Sequence, residues 1–290
     1  MNKGGAKDLA ASVRARLLNK AKAEQTDFNA MLLRYAQERL LYRLSQSAHA
    51  ERFLLKGALL FTLWYDMPHR PTRDVDLLGF GPSDLASVVQ TFREIAAVEG
   101  ADGLVFDPAS VSAQEIRNEA NYPGARVHVG GVLAGAQLRT QVDIGFGDAV
   151  TPEPVAAQYP VLLNDFPAPQ LRAYPVYTVV AEKLHAIALL GMANTRMKDY
   201  LDLLVILERE ALDQATLARA IAATFERRGM AVPTDLPIGL SDEFAADTSR
   251  QQLWQAFLNK NQMAAIPLSK VVDVLRASLQ PALLQALTAK

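Results

Sequence analysis

The hydrophobic period of this 290-residue chain changes twice, and that change limits the folds open to it. From Lys7 to about Ala23, and from about Phe28 to Ala48, apolar residues recur at helical spacing: Leu9, Val13 and Leu17, then Leu32, Leu33, Ala36, Leu40, Leu41 and Leu44. After Phe53 the pattern becomes that of short strands. It is clearest from Gln137 to Phe146, where Leu138, Thr140, Val142, Ile144 and Phe146 alternate with Arg139, Gln141, Asp143 and Gly145. Beyond Pro175 helical spacing returns, over about Val179–Leu190, Arg196–Glu208, Asp213–Arg227, Arg250–Asn259 and Leu268–Leu284. The expected fold class is α+β, with a small mixed sheet in the middle and helices on both sequence sides.

Local signals place the joints. Thr26-Asp27 supplies a cap for the second helix, and Gln25 marks the break before it. Phe53-Leu54-Leu55 reads as a strand, Lys56-Gly57 as a tight turn, and Ala58 to about Tyr65 as a helix that Pro68 and Pro71 end. Arg73 to Leu78 is the next strand, and Pro82-Ser83-Asp84 opens a helix to about Val98. Ala125–Leu133 and Gln137–Phe146 are two strands joined by a turn around Ala134-Gly135. The proline-dotted stretch Thr151 to Pro175 carries little regular pattern and leads to the helical end of the chain. This gives an N-terminal helical hairpin at 1–50, a core at 51–175 and a helical C-terminal domain at 176–290.

Composition narrows the chemistry. With 50% hydrophobic and 21% charged residues the chain is ordinary for a globular protein. The lack of cysteine excludes disulfides, thiolate zinc sites and cysteine nucleophiles, which leaves oxygen-rich metal chemistry. No apolar run approaches the roughly 20 residues of a membrane span, and Met1-Asn2-Lys3-Gly4-Gly5 leads into a polar helix, so the expected location is the cytoplasm. Residues 1–52 hold ten Lys/Arg against five Asp/Glu, a net of +5, which leaves −6 elsewhere for the total of −1. Such an arm either holds a polyanion beside a metal site or simply solvates the outer faces of amphipathic helices.

Asp74 and Asp76, separated by Val75, share one face of a strand. Neighbouring carboxylates repel, and a Mg²⁺ ion, which prefers one or two carboxylates plus substrate phosphates, turns that repulsion into coordination. Asp143 converges on the pair if the two strands are neighbours, which would build a two-metal site. Lys56-Gly57 at a strand-to-helix turn offers a positive side chain and backbone amides to an anion, although the P-loop spacing is absent. Arg70 and Arg73 could contact phosphates or neutralise the aspartates. Lys183, in Glu182-Lys183-Leu184-His185, either snorkels to solvent or reaches a triphosphate, and His185 fits a core-edge histidine better than a metal ligand. Lys198, Asp199 and Asp202 share one helix face, where a surface ion pair is the simplest reading.

Five segments, in order, resemble the successive motifs of the AbiEii/AbiGii toxin family of nucleotidyltransferases. They are Phe53-Leu54-Leu55-Lys56-Gly57-Ala58, Arg70-Pro71-Thr72-Arg73-Asp74-Val75-Asp76, Val142-Asp143-Ile144-Gly145, Ala181-Glu182-Lys183-Leu184-His185-Ala186 and Arg196-Met197-Lys198-Asp199-Tyr200-Leu201-Asp202. The resemblance runs from about residue 10 to 210. It implies a DNA polymerase β-like nucleotidyltransferase core and a toxin of a type IV toxin–antitoxin or abortive-infection (phage-defence) system, encoded beside a winged-helix antitoxin that need not touch it. It also implies Mg²⁺ or Mn²⁺ as cofactor, an NTP as donor and an RNA acceptor, the tRNA 3′ end, whose modification blocks translation. Carried onto this chain, it makes Asp74, Asp76, Lys183 and Asp202 catalytic. It makes Lys56, Gly57, Arg73, Lys198 and Asp199 nucleotide-binding and Asp74 and Asp76 metal ligands, to which the strand reading adds Asp143 as a third. Polymerase β-like enzymes usually carry Gly-Ser at the nucleotide turn, whereas Ala58 follows Gly57 here. That departure keeps open a protein or small-molecule acceptor, or a nucleotide-binding regulator without turnover.

Overall fold

The first two helices, α1 (Lys3–Ala23) and α2 (Phe28–Gln46), form the expected hairpin. Asp27 caps α2, its carboxylate accepting from the Ala30 amide at 2.9 Å, and Gln25 makes the break with a positive φ of 52°. The structure, a computed structural model, describes residues 3–65, 72–117 and 123–288. Pro68, Arg70 and Pro71 lie outside the described residues.

Among those residues the strands form one seven-stranded mixed sheet, in the order β3-β4-β5-β2-β1-β7-β6. Its strands are β1 (Phe53–Lys56), β2 (Asp74–Gly79), β3 (Leu104–Arg117), β4 (Pro123–Leu133), β5 (Ala136–Phe146), β6 (Val155–Gln158) and β7 (Gln170–Ala173). β1 and β2 are antiparallel, β2 and β5 parallel, and β5, β4 and β3 a meander. The short helix α3 (Leu59–Tyr65) follows β1, and α4 (Leu85–Ala97), capped by Asp84, follows β2. β3 was not expected from the sequence. Pro108 and a register shift between Asp107 and Ser112 interrupt its alternation, so it gives only a weak strand signal. β6 and β7, four residues each among prolines, escaped for the same reason.

Strand alternation gives the sheet two unlike faces. Val75, Leu77, Val127, Val129, Val142 and Ile144 are buried, and α1, α2 and α4 pack against the strands that carry them. Part of the positive charge of the hairpin is buried here too. Arg43 forms a two-bond pair with Asp102 at 2.5 and 2.9 Å, and Arg39, fully buried beside Glu38, lies over the Tyr42 and Phe166 rings. Arg16 meets Asp165, and Lys20 and Arg34 meet Glu24. Two of these partners, Asp102 and Asp165, lie outside residues 1–52, so the excess of +5 overstates the basic surface that the hairpin presents.

The chain divides into two units, one of Met1–Gly147 and Val155–Ala173, the other of Asp148–Pro154 and Tyr174–Lys290. The hairpin therefore shares its unit with the sheet. The second unit is helical: α5 (Val176–Leu190), α6 (Met197–Arg209), α7 (Gln214–Arg227), α8 (Asp242–Ala246), α9 (Thr248–Lys260) and α10 (Leu268–Ala286). Its leading strap is anchored by Thr178, whose hydroxyl donates to the Thr151 carbonyl and accepts from the Thr151 amide, both at 2.9 Å. Arg228 adds a pair with Asp148 at 3.1 Å. The stretch Val176–Ala193 is long and apolar enough to cross a bilayer by length and composition. However, it carries Glu182 and Lys183, and its Val179, Val180, Ala181, Leu184 and Ile187 are buried in the core of this unit.

Candidate active site

In the sheet unit, strand register assembles the carboxylates. Asp76 stands opposite Asp143 of β5 and, on its other side, opposite Lys56 of β1. Directly opposed residues share a face, so the strand neighbourhood on which the convergence of Asp74, Asp76 and Asp143 depended is present. Val75 and Leu77 turn inward and are buried, while Asp74 and Asp76 are only partly covered. Arg73 is exposed just ahead of the strand.

Gly57 belongs to the same construction. Its φ is +71°, and a methyl group there would lie 2.6 Å from Asp76 Cγ, 2.7 Å from Cβ and closer still to Oδ2. Glycine is therefore required twice, by backbone conformation and by the carboxylate that rests against it. Lys56 and Gly57 are thus coupled to Asp76 by packing as well as by sequence order.

Asp143 has a partner that the sequence reading missed. Arg126 of β4 donates from Nε to Oδ1 at 2.8 Å and from Nη2 to Oδ2 at 2.7 Å, and the Gln141 side-chain amide donates to Oδ1 at 3.1 Å. The signal was there: β4 and β5 turn tightly at Ala134-Gly135, and Arg126 stands as far before Leu133 as Asp143 does after Ala136. The hydrogen bonds to Asp143 lead in holding the Arg126 pKa above its ordinary value, and the charges of Asp143, Asp74 and Asp76 add to that against the opposing effect of partial burial. The three carboxylates thus share one electrostatic neighbourhood, and a cation is favoured in it.

The oxygen donors on β2 fit a hard divalent ion. Among the described residues no three His, Asp or Glu side chains form a metal-holding group by themselves. Asp74 and Asp76 would therefore serve as a two-carboxylate seat that substrate phosphates complete, the arrangement Mg²⁺ commonly takes.

In the helical unit, Lys183 neither snorkels nor stands open. Its Nζ donates to Asp199 Oδ1 and Asp202 Oδ2, each at 2.7 Å. Asp199 also takes the Arg196 Nε at 2.5 Å. Both aspartates are buried, and Lys198 on the same helix is exposed. The two aspartates, three apart on α6, face α5 together, which is what their spacing allowed. Burial works to lower the pKa of Lys183, but the two carboxylates outweigh it and leave it raised. For Asp199, burial works upward and is outweighed by Lys183 and Arg196, so its pKa is lowered. Both shifts favour the charged forms of Lys183 and Asp199.

His185, two residues further along α5, lies edge-on to Phe225 with centroids 5.0 Å apart and 3.5 Å from Arg228. Burial and the Arg228 charge push its pKa down to about 4, so it is a neutral core residue, in agreement with the sequence expectation.

The fold is that of a nucleotidyltransferase. MenT4, a nucleotidyltransferase toxin from Mycobacterium tuberculosis H37Rv, aligns over 96% of this chain and 98% of its own, at 18% identity and a TM-score of 0.55. JHP933 from Helicobacter pylori aligns over 88% of this chain and 93% of its own, at 13% identity and a TM-score of 0.47. The chain belongs to the AbiEii family of nucleotidyl transferase toxins of type IV toxin–antitoxin systems, whose family model matches residues 39–286. No curated protein sequence matches it. It is accordingly an enzyme, a toxin-type nucleotidyltransferase, and the family implies a nucleoside triphosphate substrate and an antitoxin partner.

Proposed function

We propose that this protein transfers a nucleoside monophosphate from an NTP to an RNA acceptor, the 3′ end of tRNA, and so blocks translation in a type IV toxin–antitoxin or phage-defence system of the cytoplasm. The observation that carries the reading is the register of β1, β2 and β5, which sets Lys56, Asp76 and Asp143 side by side with Asp74 on one face. Asp74 and Asp76 hold the divalent ion, Mg²⁺ or Mn²⁺, with Asp143 beside them. When bound, the ion neutralises charge on the phosphates. Lys56 and the Gly57 turn receive the triphosphate, where backbone amides replace the hydroxyl that Ala58 lacks, and Arg73 adds positive charge. In the helical unit, Lys183 and Asp202 are catalytic and Lys198 and Asp199 nucleotide-binding, as the family resemblance implies. An acceptor hydroxyl oxygen bonds to the α-phosphorus, the bond to the bridging oxygen breaks, pyrophosphate leaves, and the hydroxyl proton goes to solvent. A winged-helix antitoxin, which need not touch the toxin, opposes it.

The test is incubation of purified protein with labelled NTPs, Mg²⁺ and total RNA beside the Asp74→Ala variant. Label in the tRNA fraction with wild type alone is the expected result. Equal labelling by both proteins would sink the proposal, and label in protein or in a small molecule would redirect it to another acceptor.

A further inference from the structure

The polar face of the sheet continues past the aspartates. One row crosses four strands: Lys56 on β1, Asp76 on β2, Asp143 on β5 and Arg126 on β4, and Gln114 of β3 extends it. A second row, one step along the strands, runs Asp74, Gln141, His128 and Ser112. The carboxylates thus sit between two cations, Lys56 on one side and Arg126 on the other. With strands about 4.8 Å apart, those cations are about 14 Å from each other along the row.

Phosphoryl transfer uses these two sides differently. The attacking and leaving oxygens lie roughly in line through the α-phosphate. If the triphosphate enters at the Lys56-Gly57 turn, its pyrophosphate leaves toward β1. The acceptor then approaches from the opposite side, along β5 and β4. What the chain places there is a guanidinium held flat by a two-bond grip. Asp143 takes Nε and Nη2, which leaves the Nη1 edge of Arg126 directed elsewhere, and the side chain keeps 34% of its surface exposed against 17% for Asp143. His128 and Gln141 flank it on the same face. A fixed, partly exposed guanidinium suits a phosphodiester oxygen better than a carbonyl or an amine.

We infer that Arg126 is the acceptor-positioning residue, gripping a backbone phosphate of the RNA behind its 3′-hydroxyl, and that Asp143 acts through Arg126 by fixing its orientation. This inference rests on the proposal that Asp74 and Asp76 form the transfer centre. It assigns Asp143 to the acceptor side, whereas the strand pattern alone placed it among the metal ligands. His128 and Gln141 border the path of the terminal nucleotide.

The experiment measures binding without turnover. Full-length protein is titrated, in EDTA and without NTP, against a fluorescent single-stranded RNA ending in a free 3′-hydroxyl, across a range of salt. Arg126→Ala is expected to weaken binding about tenfold and to reduce the salt slope by about one phosphate contact. Arg126→Lys, which keeps the charge but loses the fork, retains the slope with reduced affinity. Asp143→Asn weakens RNA binding severalfold and leaves unchanged the Mg²⁺ concentration for half-maximal pyrophosphate release. Circular dichroism establishes that each variant is folded, and Arg126→Gln takes the place of the alanine variant if that one is not.

Wild-type binding that is absent, or matched by both Arg126→Ala and Arg126→Gln, overturns the inference. So does a loss of NTP affinity instead of RNA affinity, which would put Arg126 on the triphosphate. A raised Mg²⁺ requirement in Asp143→Asn would return Asp143 to the metal, and label entering protein would exclude a phosphodiester acceptor. Failure of the underlying proposal looks different: wild type then releases no more pyrophosphate than Asp74→Ala while RNA binding still depends on Arg126.

Discussion

The sheet unit and the helical unit each carry a cluster of charged residues, but they hold them in opposite ways. On the sheet, Asp74, Asp76 and Asp143 are partly exposed, on a face set by strand alternation and register. In the helical unit, Lys183, Asp199 and Asp202 are closed into a lattice whose carboxylates are buried. The carboxylates of β2 remain accessible to a ligand, and removing one relieves repulsion. The lattice charges stabilise one another, and removing Lys183 takes from two buried carboxylates a cation that both share. The same residue types are thus partly open to a ligand in one place and tied to one another in the other.

The largest expected effect would break that contrast most directly. Lys183→Ala should destabilise the protein by about 3–5 kcal/mol in chemical denaturation, since two buried carboxylates lose their cation. If it leaves stability untouched, the lattice is not structural and the contrast fails. Asp76→Ala should do the reverse, lowering nucleotide transfer by a factor on the order of 10²–10³. Its unfolding midpoint should stay close to that of wild type, because the carboxylate lies on a partly open face.

The contrast sharpens with pH. Glu38, buried on α2, has its pKa raised to about 7 by burial, against the pull of Arg39 and the Leu162 amide. Its protonated form is favoured in the fold, so its contribution is full below its ordinary value of 4.5 and is lost as pH rises through about 7, roughly 3 kcal/mol at most. Asp199 has the opposite sign, since its lowered pKa gives stability above the ordinary carboxylate range that disappears in acid. Denaturation from pH 5 to 8 should show stability falling in wild type and a flatter profile in Glu38→Gln. A wild-type profile that is already flat would show that Arg39 keeps Glu38 charged throughout.

The smallest effect tests the join between turn and carboxylate. Gly57→Ala should cost about 1–3 kcal/mol through its positive φ. It should also lower activity, because the added methyl displaces Asp76. Unchanged NTP turnover in that variant would separate the turn from the site.

Much of this arrangement was legible in the sequence for reasons of period. A 3.6-residue spacing marks α1, α2 and the long helices after Pro175 wherever the chain runs, and strict alternation marks β5 and puts Asp143 on the face away from Val142 and Ile144. Tight turns were legible as well, so Arg126 could have been counted off from Ala134-Gly135. β3 was not, because a proline and a bulge disturb its alternation, and the extra residue carries no signature of its own. The family resemblance supplied roles for Lys183 and Asp202 but not their mutual contact.

By itself, then, the sequence determined the α+β order of elements, the shared face of Asp74 and Asp76 and the glycine turn beside them, because each depends on residues a few positions apart. Only the tertiary structure decided that β2 lies beside β5, that Asp143 is gripped by Arg126, that Lys183 is held by α6 and that Arg16 and Arg43 of the hairpin pair with Asp165 and Asp102. Those contacts join residues far apart in the chain, and whether a charge meets water, a ligand or an opposite charge depends on which surfaces the fold brings together.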